Sequence, residues 1–302
     1  MVNDISKNKI LTDLSIVMAN YNGLPYLKEA ITSIINSSLL PQFVIVVDDG
    51  SEDESIPYLQ SLKDEPNLLF QLIIHSSAHN GVGAAKNMGI SLATTKYIMN
   101  IDADDIIHPD KIKEQYTFLE THPDVDLVGT NSVYIDIEGR PISRSSFPEN
   151  HAEIIDRFQR GDFGILDATS MFRNIYHSKL YDENFGSNSD YMFFMKLYST
   201  HNFNFHNILE EYYYLRIHPQ SLTSNIPLDT IQRKHSLKRE KFGITNSFRE
   251  KIIEIYDFVC SNLWKKALTY KSLGSYKYIV LIMLLVVLQP QKVVKRLSRL
   301  LL

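Results

Sequence analysis

Apolar and polar positions run along the first hundred residues in two alternating rhythms. Leu14–Met18, Phe43–Val47, Leu68–Ile74 and Tyr97–Ile101 are short, nearly continuous apolar runs of strand length. Between them the apolar positions recur at helical spacing. Leu24, Leu27, Ala30, Ile31, Ile34 and Ile35 mark a helix over Gly23–Ser37, and further helices are predicted over Glu54–Lys63 and Val82–Ala93. Strands alternating with helices imply a parallel sheet covered by helices. Four polar motifs then fall where strands end: Asn20-Tyr21-Asn22, Asp48-Asp49-Gly50-Ser51, Asn80-Gly81-Val82-Gly83 and Asp102-Ala103-Asp104-Asp105. Ligands of open α/β sheets sit at that edge.

The second half is less regular. The pattern predicts a strand over Asp126–Ile135, a hairpin turn over Ile135–Arg140, a helix over Ala152–Gln159 and a strand over Ile165–Phe172. A helix over Asp190–Tyr198 follows, then a strand pair or one long strand over Phe203–Ile217, and mainly helical patterns from Ser221 onward. The expected organisation is one α/β domain over residues 1–224, whose pattern changes near residue 105. A helical region over 225–302 follows it.

Composition narrows the class. The chain of 302 residues is 44% hydrophobic and 22% charged, which is globular and not disordered. A single cysteine, Cys260, excludes an intrachain disulfide framework and fits a reducing compartment. Residues 1–12 carry no apolar run of the signal-peptide kind. No histidine is followed by glutamate in an HExxH motif, which excludes a zinc protease of that type. Charge is divided unevenly: residues 233–302 hold 15 Lys/Arg against 4 Asp/Glu, whereas residues 1–232 hold 16 against 31. A basic tail points to an anionic surface. Its apolar content favours a membrane over nucleic acid. Tyr278–Leu288 is an apolar run of eleven residues, short of the ~20 needed to span a bilayer. After Pro290, Val293, Val294, Leu297, Leu300 and Leu301 repeat among Lys292, Lys295, Arg296 and Arg299. That is a basic amphipathic helix, suited to a membrane interface, to packing on its own domain, or to a homodimer partner.

Three carboxylates at the end of a buried strand repel one another unless a cation or a proton compensates them. Asp102, Asp104 and Asp105 therefore point to a hard divalent cation carrying a phosphorylated substrate; a solvated acidic turn is the structural alternative.

The segments LSIVMANYNGLPYLKEAITSI, FVIVVDDGSEDES, NGVGAAKNMGI, YIMNIDADD, SDYMFFMKL and YLRIHPQSLTS, in this order, resemble the inverting glycosyltransferases of family 2. The resemblance covers roughly residues 13–224 and implies a GT-A fold, a UDP-sugar donor and Mn2+ or Mg2+. It implies that Ala19 and Tyr21 line the nucleobase slot, that Asp49 reads the uracil edge with Asp48 in support, and that Asn80 and Gly81 bring backbone close to the donor. Lys86 stands where the family often carries arginine and is expected near phosphate. Asp102, with Ala103 beside it, would reach the ribose or a metal-bound water. Asp104 would bind the metal, with Asp105 and Asp102 as further candidates, and His218 as an additional metal or phosphate contact. Arg216 is the expected diphosphate partner. The family's Glu-Asp pair is Ser189-Asp190 here, which makes Asp190 the expected general base and Asp167 the second candidate. The expected enzyme moves a hexose or N-acetylhexosamine to a glycan or lipid-linked acceptor at the cytoplasmic face of the membrane, in cell-surface polysaccharide synthesis. Two alternatives stay open at this point. One is a nucleotidyltransferase, although Asn20-Tyr21-Asn22-Gly23 lacks the basic loop that a triphosphate needs. The other is a non-catalytic sugar-nucleotide-binding protein.

Overall fold

The computed structural model describes residues 11–160, 162–175, 179–183, 189–219 and 221, with Leu263, Lys266, Ala267, Lys271 and Lys277 from the C-terminal region. The chain opens as β1 (Leu11–Asn20), α1 (Tyr26–Ile35), β2 (Leu40–Asp48), α2 (Ser55–Lys63), β3 (Gln71–Ser76), α3 (Val82–Leu92) and β4 (Tyr97–Asn100). It continues through β5 (Ile106–Ile107), α4 (Lys111–Thr121), β6 (Leu127–Ile135), β7 (Pro141–Arg144), α5 (His151–Gln159), a 3-10 turn (Asp167–Thr169), β8 (Met171–Arg173), α6 (Ser189–His201) and β9 (Phe205–Arg216). All nine strands join one sheet in the order β3-β2-β1-β4-β8-β6-β9-β5, with β7 paired to β6.

The apolar runs are continuous because the strands are buried on both faces. On β2, Val44 and Val46 pack into one core with Leu27, Ala30, Ile31 and Ile34 of α1. Ile45 and Val47 turn to the other face, into a core with Ala85 and Ile90 of α3. β1 divides the same way, with Ile16 and Met18 on the first face and Val17 on the second. β1 is parallel to both β2 and β4, so the order reverses beside β1. The loops after β1, β2 and β4 therefore open at a common edge, the place where such sheets take ligands.

The second half of the sheet is mixed. β8 runs antiparallel to β4 and β6, whereas β6 and β9 are parallel. The hairpin expected over 135–140 joins β6 to β7, closed by Asp136 N–H to the Arg140 carbonyl at 2.9 Å. The strand expected over Ile165–Phe172 is shorter. Only Met171–Arg173 pairs, because Asp167 and Thr169 lie in a turn closed by Thr169 N–H on Leu166 and Ser170 N–H on Asp167. Phe203–Ile217 resolves into the single long strand β9. Ala267 is buried, and Lys271 Nζ donates to the Ile142 carbonyl of β7 at 2.8 Å. The rest of the predicted C-terminal helices, the basic segment after Pro290 included, lies outside the described residues. Among the described residues no helix is long and apolar enough to cross a membrane.

Candidate active site

The loop after β4 sends its three carboxylates in different directions. Asp102 and Asp104 keep 42% and 33% of their side chains exposed. Asp105 turns inward and is buried. Its Oδ2 accepts the Tyr213 hydroxyl at 2.7 Å and its Oδ1 accepts the Arg216 N–H at 2.7 Å. Burial, with Asp104 and Asp102 beside it, drives its pKa well up. Asp105 thus ties the acidic loop to β9 and does not face the exposed pair, unlike the metal ligand expected of it.

Asp104 and His218 come together, with His218 Nε2 2.8 Å from Asp104 Oδ2 and the imidazole packed on Tyr26 at 5.0 Å between centroids. Arg216 lies near them but is buried, and each guanidinium nitrogen is taken. Nε donates to the Asp104 carbonyl at 3.0 Å, Nη1 to the Ile137 carbonyl at 3.1 Å, and Nη2 to Glu29 of α1 at 2.5 Å. It braces the site from behind. This differs from the expected diphosphate contact, since its donors are already bonded.

Lys86 is the unexpected centre of the second group. It is only 2% exposed, on the inner face of α3. Its Nζ lies 2.7 Å from Asp167 Oδ2 and 3.1 Å from Asp102 Oδ1, with the Tyr181 ring 5.6 Å away. Burial opposes its charge, but Asp102, Asp167 and Asp190 outweigh that and raise its pKa well above the lysine value. Asp167 is buried and fully engaged: beyond Lys86, its Oδ1 accepts Asn100 Nδ2 at 2.8 Å and the Tyr181 hydroxyl at 2.7 Å. Asp190 lies in the first turn of α6 and keeps partial exposure. Burial lifts its carboxyl to about 7; Lys86 pulls it down, and Asp167 and Asp102 push it up. A carboxyl poised there can gain or lose a proton near neutrality, as a general base must.

The loops after β1, β2 and β3 form the third group. Asp48 is a turn keystone, accepting Asn20 Nδ2 at 2.7 Å, Ser51 Oγ at 2.6 Å and Ser51 N–H at 2.9 Å. Asp49 accepts the N–H groups of Asn80 and Gly81, each at 2.8 Å, with Ser77 Oγ at 3.4 Å. Its carboxylate therefore builds the Asn80–Gly81 loop, where Gly81 holds φ +92°. That is a left-handed conformation glycine adopts without strain. Asn80 is exposed, Ala19 is part-buried at the end of β1, and Ala103 is buried in the core. Tyr21 stands half exposed, its ring against His79. His79 and the Lys86–Asp167 pairing are not readable from the sequence; both depend on contacts between elements distant along the chain.

Among the described residues no group of three or more His, Cys, Asp or Glu side chains is arranged to hold a metal ion. The donors that could share one are Asp104 Oδ2 and His218 Nε2. Two protein ligands suit a cation that takes its remaining oxygens from a diphosphate and water. A cavity of about 390 Å³ lies elsewhere, between α4 and β9, lined by Glu114, Phe118, His206 and Leu209, and includes none of these residues.

The chain is similar to known proteins in sequence and in fold. The family model described as Glycosyl transferase family 2 matches residues 15–203. An uncharacterized glycosyltransferase of Methanocaldococcus jannaschii is 28% identical over 232 residues, covering 72% of this chain and 78% of that protein. An uncharacterized glycosyltransferase of Haemophilus influenzae is 33% identical over 130 residues, and the chain spans half of its length. Staphylococcus aureus TarS, a poly(ribitol-phosphate) beta-N-acetylglucosaminyltransferase, is 27% identical over 194 residues, 62% of this chain and 33% of that protein. Among solved structures, TarS 1-349 in complex with UDP-GlcNAc superposes with a TM-score of 0.59 at 17% identity, covering 89% of this chain and 81% of that one. A mannosyltransferase of Pyrobaculum calidifontis in complex with GDP-Man and Mn2+ gives 0.53 at 13% identity, covering 92% and 81%. The fold is GT-A, and the chain, matched by the family model over most of its described length, belongs to glycosyltransferase family 2.

Proposed function

We propose that the protein is an inverting, metal-dependent transferase that moves a hexose or N-acetylhexosamine from a UDP-sugar to a hydroxyl of a glycan or lipid-linked saccharide. The observation that carries this reading is the meeting of the exposed Asp102–Asp104 pair with Asp190, a carboxyl lifted to about 7, at one edge of the sheet. A single displacement needs a base to take the acceptor hydroxyl proton as the nucleotide leaves. Asp190 serves as that base. Asp167 does not, since both its oxygens are bonded. The loops carrying Tyr21, Asp49, Asn80 and Gly81 hold the nucleoside, with Asp48 and Ala19 shaping the wall.

Asp104 and His218 would hold the cation, with the exposed Asp102 carboxylate on the same loop. Bound there, Mn2+ or Mg2+ supplies Lewis-acid stabilisation of the leaving diphosphate. Without it, Asp102 and Asp104 meet the diphosphate as like charges. UDP therefore binds at least tenfold more weakly in EDTA than with Mn2+, measured by calorimetric titration; equal affinities rule out the metal role.

Residues 1–224 form the catalytic domain in this reading, and 225–302 a helical extension. The basic segment after Pro290 keeps the enzyme at the cytoplasmic membrane face, near a lipid-linked acceptor for surface polysaccharide. Basic residues near an anionic leaflet gain about 1 kcal/mol each. Full-length protein should float with anionic vesicles and not with neutral ones, and removing residues 275–302 should abolish flotation. Protein that stays at the bottom of the gradient with anionic vesicles contradicts membrane contact and favours packing or dimerisation.

A further inference from the structure

Tyr21 is 50% exposed at the edge where the sheet opens, which is costly for a ring to hold in one orientation unless something supports it. The support is His79. The two rings lie 4.2 Å apart between centroids at 36°. A planar base cannot enter a gap that narrow, so the ligand face is the face of Tyr21 turned away from His79, and His79, with 61% of its own side chain exposed, backs the other face. His79 is itself fixed: its Nδ1 lies 3.1 Å from both the carbonyl and the carboxylate Oδ2 of Asp49. The loop that carries it is bound to the end of β2 at four points. Ser77 N–H donates to the Asp48 carbonyl at 2.9 Å, Ser77 Oγ to Asp49 at 3.4 Å, and the N–H groups of Asn80 and Gly81 to Asp49 at 2.8 Å each. Close approach of the two loops also needs Gly50. It adopts φ +85°, and a Cβ there would lie 3.3 Å from the backbone nitrogen of His79.

We infer that His79 is a nucleobase-positioning residue: it holds the Tyr21 ring as a fixed platform on which the base of the nucleotide stacks. The inference rests on the proposed nucleotide-sugar site and adds to it a residue and a role. Asp49 acts on the base through this support, because its own oxygens are filled by the loop it organises. A platform already fixed before binding loses less freedom when the base arrives.

The test is a double-mutant cycle on nucleotide affinity with the full-length chain, using Tyr21→Ala, His79→Ala and both together. UMP and UDP are titrated calorimetrically, and GDP, ADP and CDP serve as additional probes. His79→Ala is expected to weaken UMP and UDP alike, by about three- to tenfold, the scale of one aromatic pair. The double variant should bind no more weakly than Tyr21→Ala, and His79→Phe should recover at least half of the loss. Additive single effects overturn the inference. So does a loss seen with UDP but not with UMP, or a His79→Phe variant as weak as His79→Ala. If the wild type prefers another nucleoside diphosphate, the uridine reading fails, and the same cycle run on the preferred nucleotide still decides the role of His79. If no nucleotide binds, the donor site and the platform fall together.

Discussion

Replacing Lys86 with methionine should lower folding stability by about 3–5 kcal/mol, the scale of removing one partner from a buried ion pair. The magnitude follows from what is left behind. Asp167 has 1% of its side chain exposed and sits 2.7 Å from the ammonium. Methionine fills the stem's space but leaves that carboxylate with only Asn100 and the Tyr181 hydroxyl. Asp102, whose side chain keeps 42% exposure, contributes less because water screens it. Urea unfolding of wild type and Lys86→Met measures the loss. Adding Asp167→Asn removes the orphaned charge and should restore more than half of it, a coupling expected of residues in contact. A loss below about 1 kcal/mol would show that Lys86 is an ordinary helix lysine.

Asp190→Asn should leave UDP affinity within a factor of two and reduce transfer by roughly 10²–10⁴-fold, the contribution of a general base. The wild-type pH profile provides an independent check. Burial raises the carboxyl to about 7, with Asp167 and Asp102 adding to the shift and Lys86 opposing it. Only the deprotonated form accepts a proton, so kcat/KM should rise with pH through about 7 and then level off. In Asp190→Asn that rise disappears. Near-normal turnover, or an unchanged acid limb in the variant, moves the base elsewhere.

The fold of the first half is legible in the sequence because its strands are buried on both faces. Val44–Val47 read as one apolar run while feeding two cores in alternation. The edge where chemistry collects is legible too, since each polar motif ends a strand. What a given polar side chain does there is not legible. Asp104 and Asp105 are chain neighbours with opposite fates, decided by Tyr213, 108 residues from Asp105. Arg216 reads as a cation for phosphate until Glu29, 187 residues away, takes its Nη2. Lys86 lies among helical positions that look solvated, and its partner Asp167 is 81 residues further on, inside a segment that reads as strand. His79 belongs to no periodic pattern, and its meaning comes from Tyr21 and Asp49 on two other loops. Periodicity reports burial along one element; these assignments depend on pairs that only the closed sheet brings together.

The most direct test of the central claim is release of UDP from a panel of UDP-sugars, with Mn2+ present, by wild type and by Asp190→Asn. Wild type should release UDP from at least one donor, EDTA should abolish the release, and the Asn variant should lose it while still binding UDP. Release that is equal in the two proteins, or turnover confined to a sugar carried on another nucleotide, would contradict the assignment of this site as a UDP-sugar transferase with Asp190 as its base.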